Sequence, residues 1–279
     1  MPEPLVVSAW PDAILTYAAR RQLPVDELCA RVGLSREALR DHARRVPARR
    51  VLQLLEACLA LSADEQFGCG LRTQIGTAAL HGLNILLDSA ATLGDSLQCL
   101  VDCMPQMLGH IQPVLTREGD FVSLTLEASL PPHVFGLDCG ALALVRNSAR
   151  RVGRQPGELF AEARLVSGQQ CVETLEGWGI PCRRADALGL LLPVEALAWP
   201  QLGANTVIHQ AMRASCRLSE ANALDERLDL ARHWLRNSDQ PIDSIAARSG
   251  YSQASNFIRA FRKQYGVTPK QFRLGSAAT

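Results

Sequence analysis

No stretch of this chain reads as a membrane span. An uncharged run near the middle, residues 73–87, is 15 residues long and carries Gln, His and Asn, too short and too polar to cross a bilayer. A secretory leader is not expected either, because no basic residue precedes Arg20 while Glu3 and Asp12 are acidic. Net charge is only +1, aromatics make up 5%, and there are neither internal repeats nor a low-complexity tract beyond the closing Gly-Ser-Ala-Ala-Thr. Catalytic signatures are missing too: no phosphate loop, no His-Glu-X-X-His, no Gly-X-Ser-X-Gly, and Gly68-Cys69-Gly70 lacks the third glycine of a dinucleotide loop. Catalytic residues and cofactors are therefore not expected, and His81, His133 and His209 read as structural or surface residues. The nine cysteines (29, 58, 69, 99, 103, 139, 171, 182, 216) are odd in number and contain no Cys-X-X-Cys. They predict buried, reduced thiols in a cytoplasmic protein. Cys99 and Cys103, four apart with His110 nearby, suit core packing better than a metal or redox switch.

What is present is a globular composition, 47% apolar and 20% charged over 279 residues, enough for two domains with cores of their own. Residues 10–108 carry mostly helical patterns. A hairpin is predicted at Ile111–Arg117 and Phe121–Glu127 about Glu118-Gly119-Asp120. A long helix is predicted from Val134 to Val152, and strands at Ala161–Val166 and around Leu188–Pro193.

The last fifty residues hold the strongest functional signal. Pro241 suits a first helical turn, and Ile242, Ile245 and Ala246 fall on one helical face. Gly250 can take the positive φ that ends this helix, and Ser252 is the expected N-cap of the next. In that second helix Phe257, Ala260 and Phe261 form an apolar stripe, leaving Gln253, Ser255, Asn256, Arg259 and Lys263 on the outer side. Two helices about a tight turn, with polar and cationic residues on the outside of the second, are how a helix-turn-helix meets the DNA major groove. Gln and Asn can pair with adenine edges, Arg with guanine or phosphate. From Asp239 to Leu274 there are six cations against two acids, a local excess suited to phosphates. An ordinary helical hairpin with a solvated face is the competing reading of these residues.

Residues 224–273 resemble the end of an AraC-type DNA-binding domain. The likeness rests on Leu224-Asp-Glu-Arg-Leu-Asp-Leu-Ala-Arg-His-Trp-Leu235, Ser249-Gly-Tyr-Ser252, Asn256-Phe-Ile-Arg-Ala-Phe-Arg-Lys263 and Gly266-Val-Thr-Pro-Lys-Gln-Phe-Arg273, in the family's order. It implies a linker helix over Leu224–Arg236, with a stripe of Leu224, Leu228, Ala231 and Leu235, followed by one DNA-reading helix-turn-helix. The resemblance also implies a first such unit upstream, but Val207-Ile-His-Gln-Ala-Met-Arg-Ala-Ser-Cys-Arg-Leu218 reads as a single helix with no turn. One half of a two-part reader is thus expected to be missing. The segment Val25–Leu39 has a helix, a Gly33 turn and a Ser35 cap, and residues 31–50 carry seven arginines against two acids. A plain helical hairpin is favoured there over a second DNA reader.

More loosely, residues 8–198 resemble the N-terminal ligand-binding and dimerisation domain of one AraC-type branch. The resemblance rests on Val46-Pro47, Asp64-Glu-Gln-Phe-Gly68, His81-Gly-Leu-Asn84 and Ala91-Thr-Leu-Gly-Asp-Ser-Leu97, with Thr92 as a helix cap. The fold expected is an α+β sensor domain (1–198), a connector (199–223) and an all-α helix-turn-helix domain (224–279). The function implied is DNA-binding transcription regulation under a small-molecule effector, with Ser252, Gln253, Ser255, Asn256, Arg259, Arg262 and Lys263 toward DNA. Implied partners are double-stranded promoter DNA, an effector whose binding residues the sequence leaves unassigned, a second copy of the chain and RNA polymerase, with no membrane and no metal. The alternative is a sensor that has lost independent DNA binding and titrates a full-length relative.

Overall fold

The computed structural model describes every residue except 1–2, 42–43, 65, 73–78, 167–169, 239, 250, 252 and 277–279, and backbone alone at 79, 81, 217–227, 230, 248 and 275–276. The chain divides into two compact units, residues 5–213 and residues 214–279.

The first unit opens with strand β1 (Leu5–Val7) and helices α1 (Ala9–Arg20), α2 (Val25–Val32) and α3 (Arg36–Leu39). Strand β2 (Arg45–Pro47) pairs antiparallel with β1, Val6 opposite Val46; these three-residue strands are too short for alternation to signal them in the sequence. Helices α4 (Ala48–Ser62), α5 (Phe67–Leu71), α6 (Ala79–Asp88) and α7 (Leu93–Met107) follow. Thr92 caps α7 as expected, in a reciprocal capping box with Asp95, which satisfies two orphan donors at once.

The predicted hairpin forms as β3 (Ile111–Glu118) and β4 (Phe121–Ala128), with Gly119 at positive φ in its turn. Helix α8 (Val134–Val152) occupies the predicted span and is closed by Gly153 in the left-handed region. Short helix α9 (Pro156–Leu159) leads to β5 (Glu162–Leu165); α10 (Val172–Gly177) and β6 (Cys182–Arg184) precede β7 (Leu188–Pro193). The sheet order is β3-β4-β7-β5-β6, antiparallel except for β5 against β6. Strand β6, two of whose three residues are exposed arginines, was not expected from the sequence. Alternation selects one inward face: Val122, Leu124 and Leu126 of β4 are buried, as are Leu188, Leu190 and Leu192 of β7.

One reading changes. The expected connector and linker helix are one helix, α11 (Thr206–Asn237), 32 residues long, because nothing between Val207 and Arg236 breaks a helix. The division into compact units falls inside this helix, at 213/214. Helices α12 (Ile242–Arg248), α13 (Ala254–Tyr265) and α14 (Pro269–Ser276) complete the second unit. Among the described residues no helix is long and apolar enough to cross a membrane.

Candidate nucleic-acid interface

The second unit is built around Phe257 and Phe261, both fully buried with Leu228, Ala231, Leu235, Ile245 and Ala246. The linker stripe thus packs as expected at Leu228, Ala231 and Leu235; the side chain of Leu224 lies outside the described residues. Ala246, small as the close approach of two helices requires, is buried where α12 meets α13. Aromatic rings continue the core: Phe257 to Phe261 at 5.6 Å, Phe261 to Tyr265 at 4.6 Å, and Phe261 to Phe272 at 5.7 Å. Tyr265 donates its hydroxyl hydrogen bond to Asp229 at 2.9 Å, and Arg232 lies 5.3 Å over its ring. These contacts fix α13 against the second half of α11. Pro269 opens α14, while Thr268 and Gln271 bond reciprocally at its start.

With the aromatic face spent on the core, the opposite face of α13 is left outward. Gln253, Ser255, Asn256, Arg259, Arg262 and Lys263 are all exposed. Ala260, expected in the buried stripe, is only partly buried at its edge. Ser252, with Gly250, lies outside the described residues, and the N-cap position of α13 is taken by Gln253 with no side-chain cap bond. Arg259 donates to the Asn256 amide oxygen at 2.6 Å across one helical turn, so the two base-reading candidates form one unit. Arg259, Arg262 and Lys263 have no carboxylate partner among the described residues, which leaves their charge available to phosphate.

The arginine-rich segment 31–50 is different. Gly33 closes α2 with φ +65° and the Ser35 hydroxyl accepts from Ala38 N, as the spacing predicts. Helix α3, however, is four residues long, about 6 Å of rise, too short to run along a groove. Arg50 donates to Gly33 O and Arg45 to Gln106 O, so two of its cations are spent on backbone carbonyls within the first unit.

The first unit carries a cavity of about 120 Å³ walled by parts of α1, α4, α6, α7, α8 and the β3–β4 hairpin. Sequence reasoning left effector residues unassigned; its clue was the run Gly136, Gly140, Ala143, Asn147 and Arg151 at three- and four-residue intervals on α8. The first turns of α11 rest on α6 and α7. His209 Nδ1 is 3.3 Å from Leu86 O, and Arg213 reaches Asp102 at 3.1 Å and Cys99 Sγ at 3.2 Å. Gly82, at φ +76°, admits Met212 so closely that a Cβ there would lie 2.8 Å from its terminal methyl. The histidine recorded beside Cys99 is His209, at 3.9 Å. The cysteines are free and mostly buried, and burial raises the Cys58 thiol to about 12 and Cys69 to about 11.

A family model described as the arabinose-binding domain of AraC transcription regulator, N-terminal, matches residues 23–164, just over half of the chain. The chain belongs to the AraC family of transcription regulators. A helix-turn-helix domain model matches residues 210–275, beginning inside α11 and upstream of the expected start at 224. Among curated relatives, the HTH-type transcriptional activator FapR of Escherichia coli is 35% identical over 68 residues, 24% of this chain and 26% of that protein. The HTH-type transcriptional activator RhaS of Escherichia fergusonii is 29% identical over 91 residues, 30% of this chain and 33% of that protein. The chain thus spans a quarter to a third of the length of these relatives. The crystal structure of transcriptional regulator CdpR from Pseudomonas aeruginosa aligns with a TM-score of 0.50 at 17% identity, over 92% of this chain and 98% of that one. At that identity the likeness concerns the fold alone.

Proposed function

We propose that this chain is a DNA-binding transcription regulator of the bacterial cytoplasm, governed by a small molecule held in residues 5–213 and reading promoter DNA through residues 214–279. The observation that carries this reading is the two-faced α13, with Phe257 and Phe261 fully buried on one side and Asn256, Arg259, Arg262 and Lys263 exposed on the other. Gln253, Ser255, Asn256 and Arg259 are assigned to base edges, and Arg262 and Lys263 to phosphates. Ser252 is proposed at the turn beside them.

Helix α11 runs unbroken where a first helix-turn-helix would need a turn. Each chain therefore supplies one reading helix, and two copies of the chain would place two of them on successive half-sites. The effector acts, in this reading, through the cavity walls: α6 and α7 line the cavity and also hold His209 and Arg213 of α11. RNA polymerase is a further proposed partner.

Footprinting on DNA selected from a random pool at low salt tests the proposal. Protection that disappears with Asn256→Ala and Arg259→Ala is expected. If no fragment is ever protected, the second reading takes over, in which the chain pairs with and titrates a full-length relative. The unbroken α11 is the observation that favours that alternative.

A further inference from the structure

The cavity of the first unit has a shape and a lining that fit one chemical class of effector. The cavity-lining residues of α8 run from Gly136 to Arg151 on one face, about 22 Å at the rise of an α-helix. The groove is kept open by small residues, Gly136, Gly140 and Ala143. A Cβ at Gly136 or Gly140 would meet only ordinary contacts, Leu55 Cδ1 at 3.6 Å and Leu126 Cδ1 at 4.0 Å. Opposite them the wall is apolar, with Leu83, Leu87, Leu100 and Met104 from α6 and α7. A lining that follows α8 over that length and is apolar on its facing side suits an apolar chain better than a compact polar ring.

Its polar groups sit at the ends. At the C-terminal end of α8, the buried Arg151 guanidinium donates to Asp88 at 2.7 Å and to Asn84 at 3.2 Å, with Asn147 one turn away in the lining. Arg150 shares the same carboxylate at 2.7 Å, so two cations face one acid. An incoming carboxylate would neutralise that excess. At the other end, His110 is 7% exposed and its Nδ1 has no hydrogen-bond partner among the described residues, a deficit that an incoming polar group would fill. Burial holds this imidazole below the usual histidine value, hence neutral, able to meet a hydroxyl or carbonyl oxygen. The His110 carbonyl accepts from Ser129 N at 2.9 Å, where the chain leaves β4 toward α8. A pentose fits poorly, because each hydroxyl facing the leucine wall would lose its water without gaining a partner.

We infer that the effector is an elongated, mainly apolar carboxylic acid, its carboxylate at Arg151 and its chain along the Gly136–Gly140 face of α8. This rests on the effector reading above and narrows it to a class. Full-length protein without DNA is titrated with straight-chain carboxylates of graded length from octanoate to palmitate, below their micellar concentrations. The corresponding alcohols and L-arabinose are run in parallel, with melting temperature and calorimetry as readouts. Expected are a chain-length optimum with a raised Tm, at least tenfold weaker binding of the alcohol of that length, and no effect of arabinose. Gly140→Leu, which fills the slot from a position where the first added carbon is tolerated, should abolish the shift while the unliganded Tm is kept. The inference is overturned if arabinose alone stabilises, if no acid binds, if acid and alcohol bind equally, or if Gly140→Leu responds like the parent. Each of those failures leaves the DNA-reading proposal standing, because footprinting tests it separately.

Discussion

Two sets of cations, one in each unit, are used in opposite ways. In residues 5–213 one set of arginines is tied to carboxylates: Arg21 to Asp64, Arg150 and Arg151 to Asp88, Arg164 to Glu118 and Glu162, and Arg213 to Asp102. The Arg164 bonds hold the Glu118 carboxyl below its ordinary range, and those of Arg183 and then Arg164 do so for Glu162. On α13, by contrast, Arg259, Arg262 and Lys263 stand exposed without a carboxylate among the described residues. Charge bound internally stabilises a scaffold; charge left uncompensated on one helix face is available to an external polyanion. The lesson is that a near-neutral chain can still contain a nucleic-acid surface, provided the compensation is done elsewhere.

Mutations can break or sharpen that contrast. Phe261→Ala should remove about 3–5 kcal/mol from the small second unit, and hydrogen exchange should show residues 228–272 opening while β3–β7 stay protected. Asp88→Ala should cost the first unit about 3 kcal/mol or more, since it leaves Arg151, nearly fully buried, without its counter-charge; thermal melts with and without Arg150→Ala would isolate the Arg151 share. Arg259→Ala should weaken specific DNA binding by about 1–3 kcal/mol and relax discrimination at one base pair, measured by competition between operator variants. Lys263→Ala should lower affinity for all sequences alike and reduce the salt slope by about 1. The smallest effect is in pH. Burial depresses the His110 and His133 imidazoles, so the unfolded chain takes up more protons as pH falls through about 6.5. Stability of the first unit should be level above about pH 7 and decline toward pH 5, and His110→Asn should flatten part of that decline in melts across the range.

Much of the fold was legible because the informative signals were local. The hairpin about Gly119, α8 between His133 and Gly153, and the Thr92 capping box each depend on a few neighbouring residues. The helix-turn-helix was legible for the same reason, its aromatic stripe and outer polar face repeating at helical spacing within twelve residues. Strands β1, β2 and β6 were not, because at three residues each their formation depends on a partner distant in sequence. The cavity was least legible. Asn84, His110 and Arg151 carry no shared motif, and they line one space only because α6, the start of β3 and α8 meet there.

The sequence by itself determined which face of α13 is outward and polar, since burial of Phe257 and Phe261 follows from their spacing and leaves Asn256 and Arg259 outside. It also left residues 207–236 without a turn signal, so that one long helix was to be expected there. Only the tertiary structure decided that Asp88 gathers two arginines beside an apolar cavity wall. The physical reason is range: caps, turns and amphipathic stripes are set by residues within a turn or two, whereas a cavity and its charge balance exist only where distant segments pack.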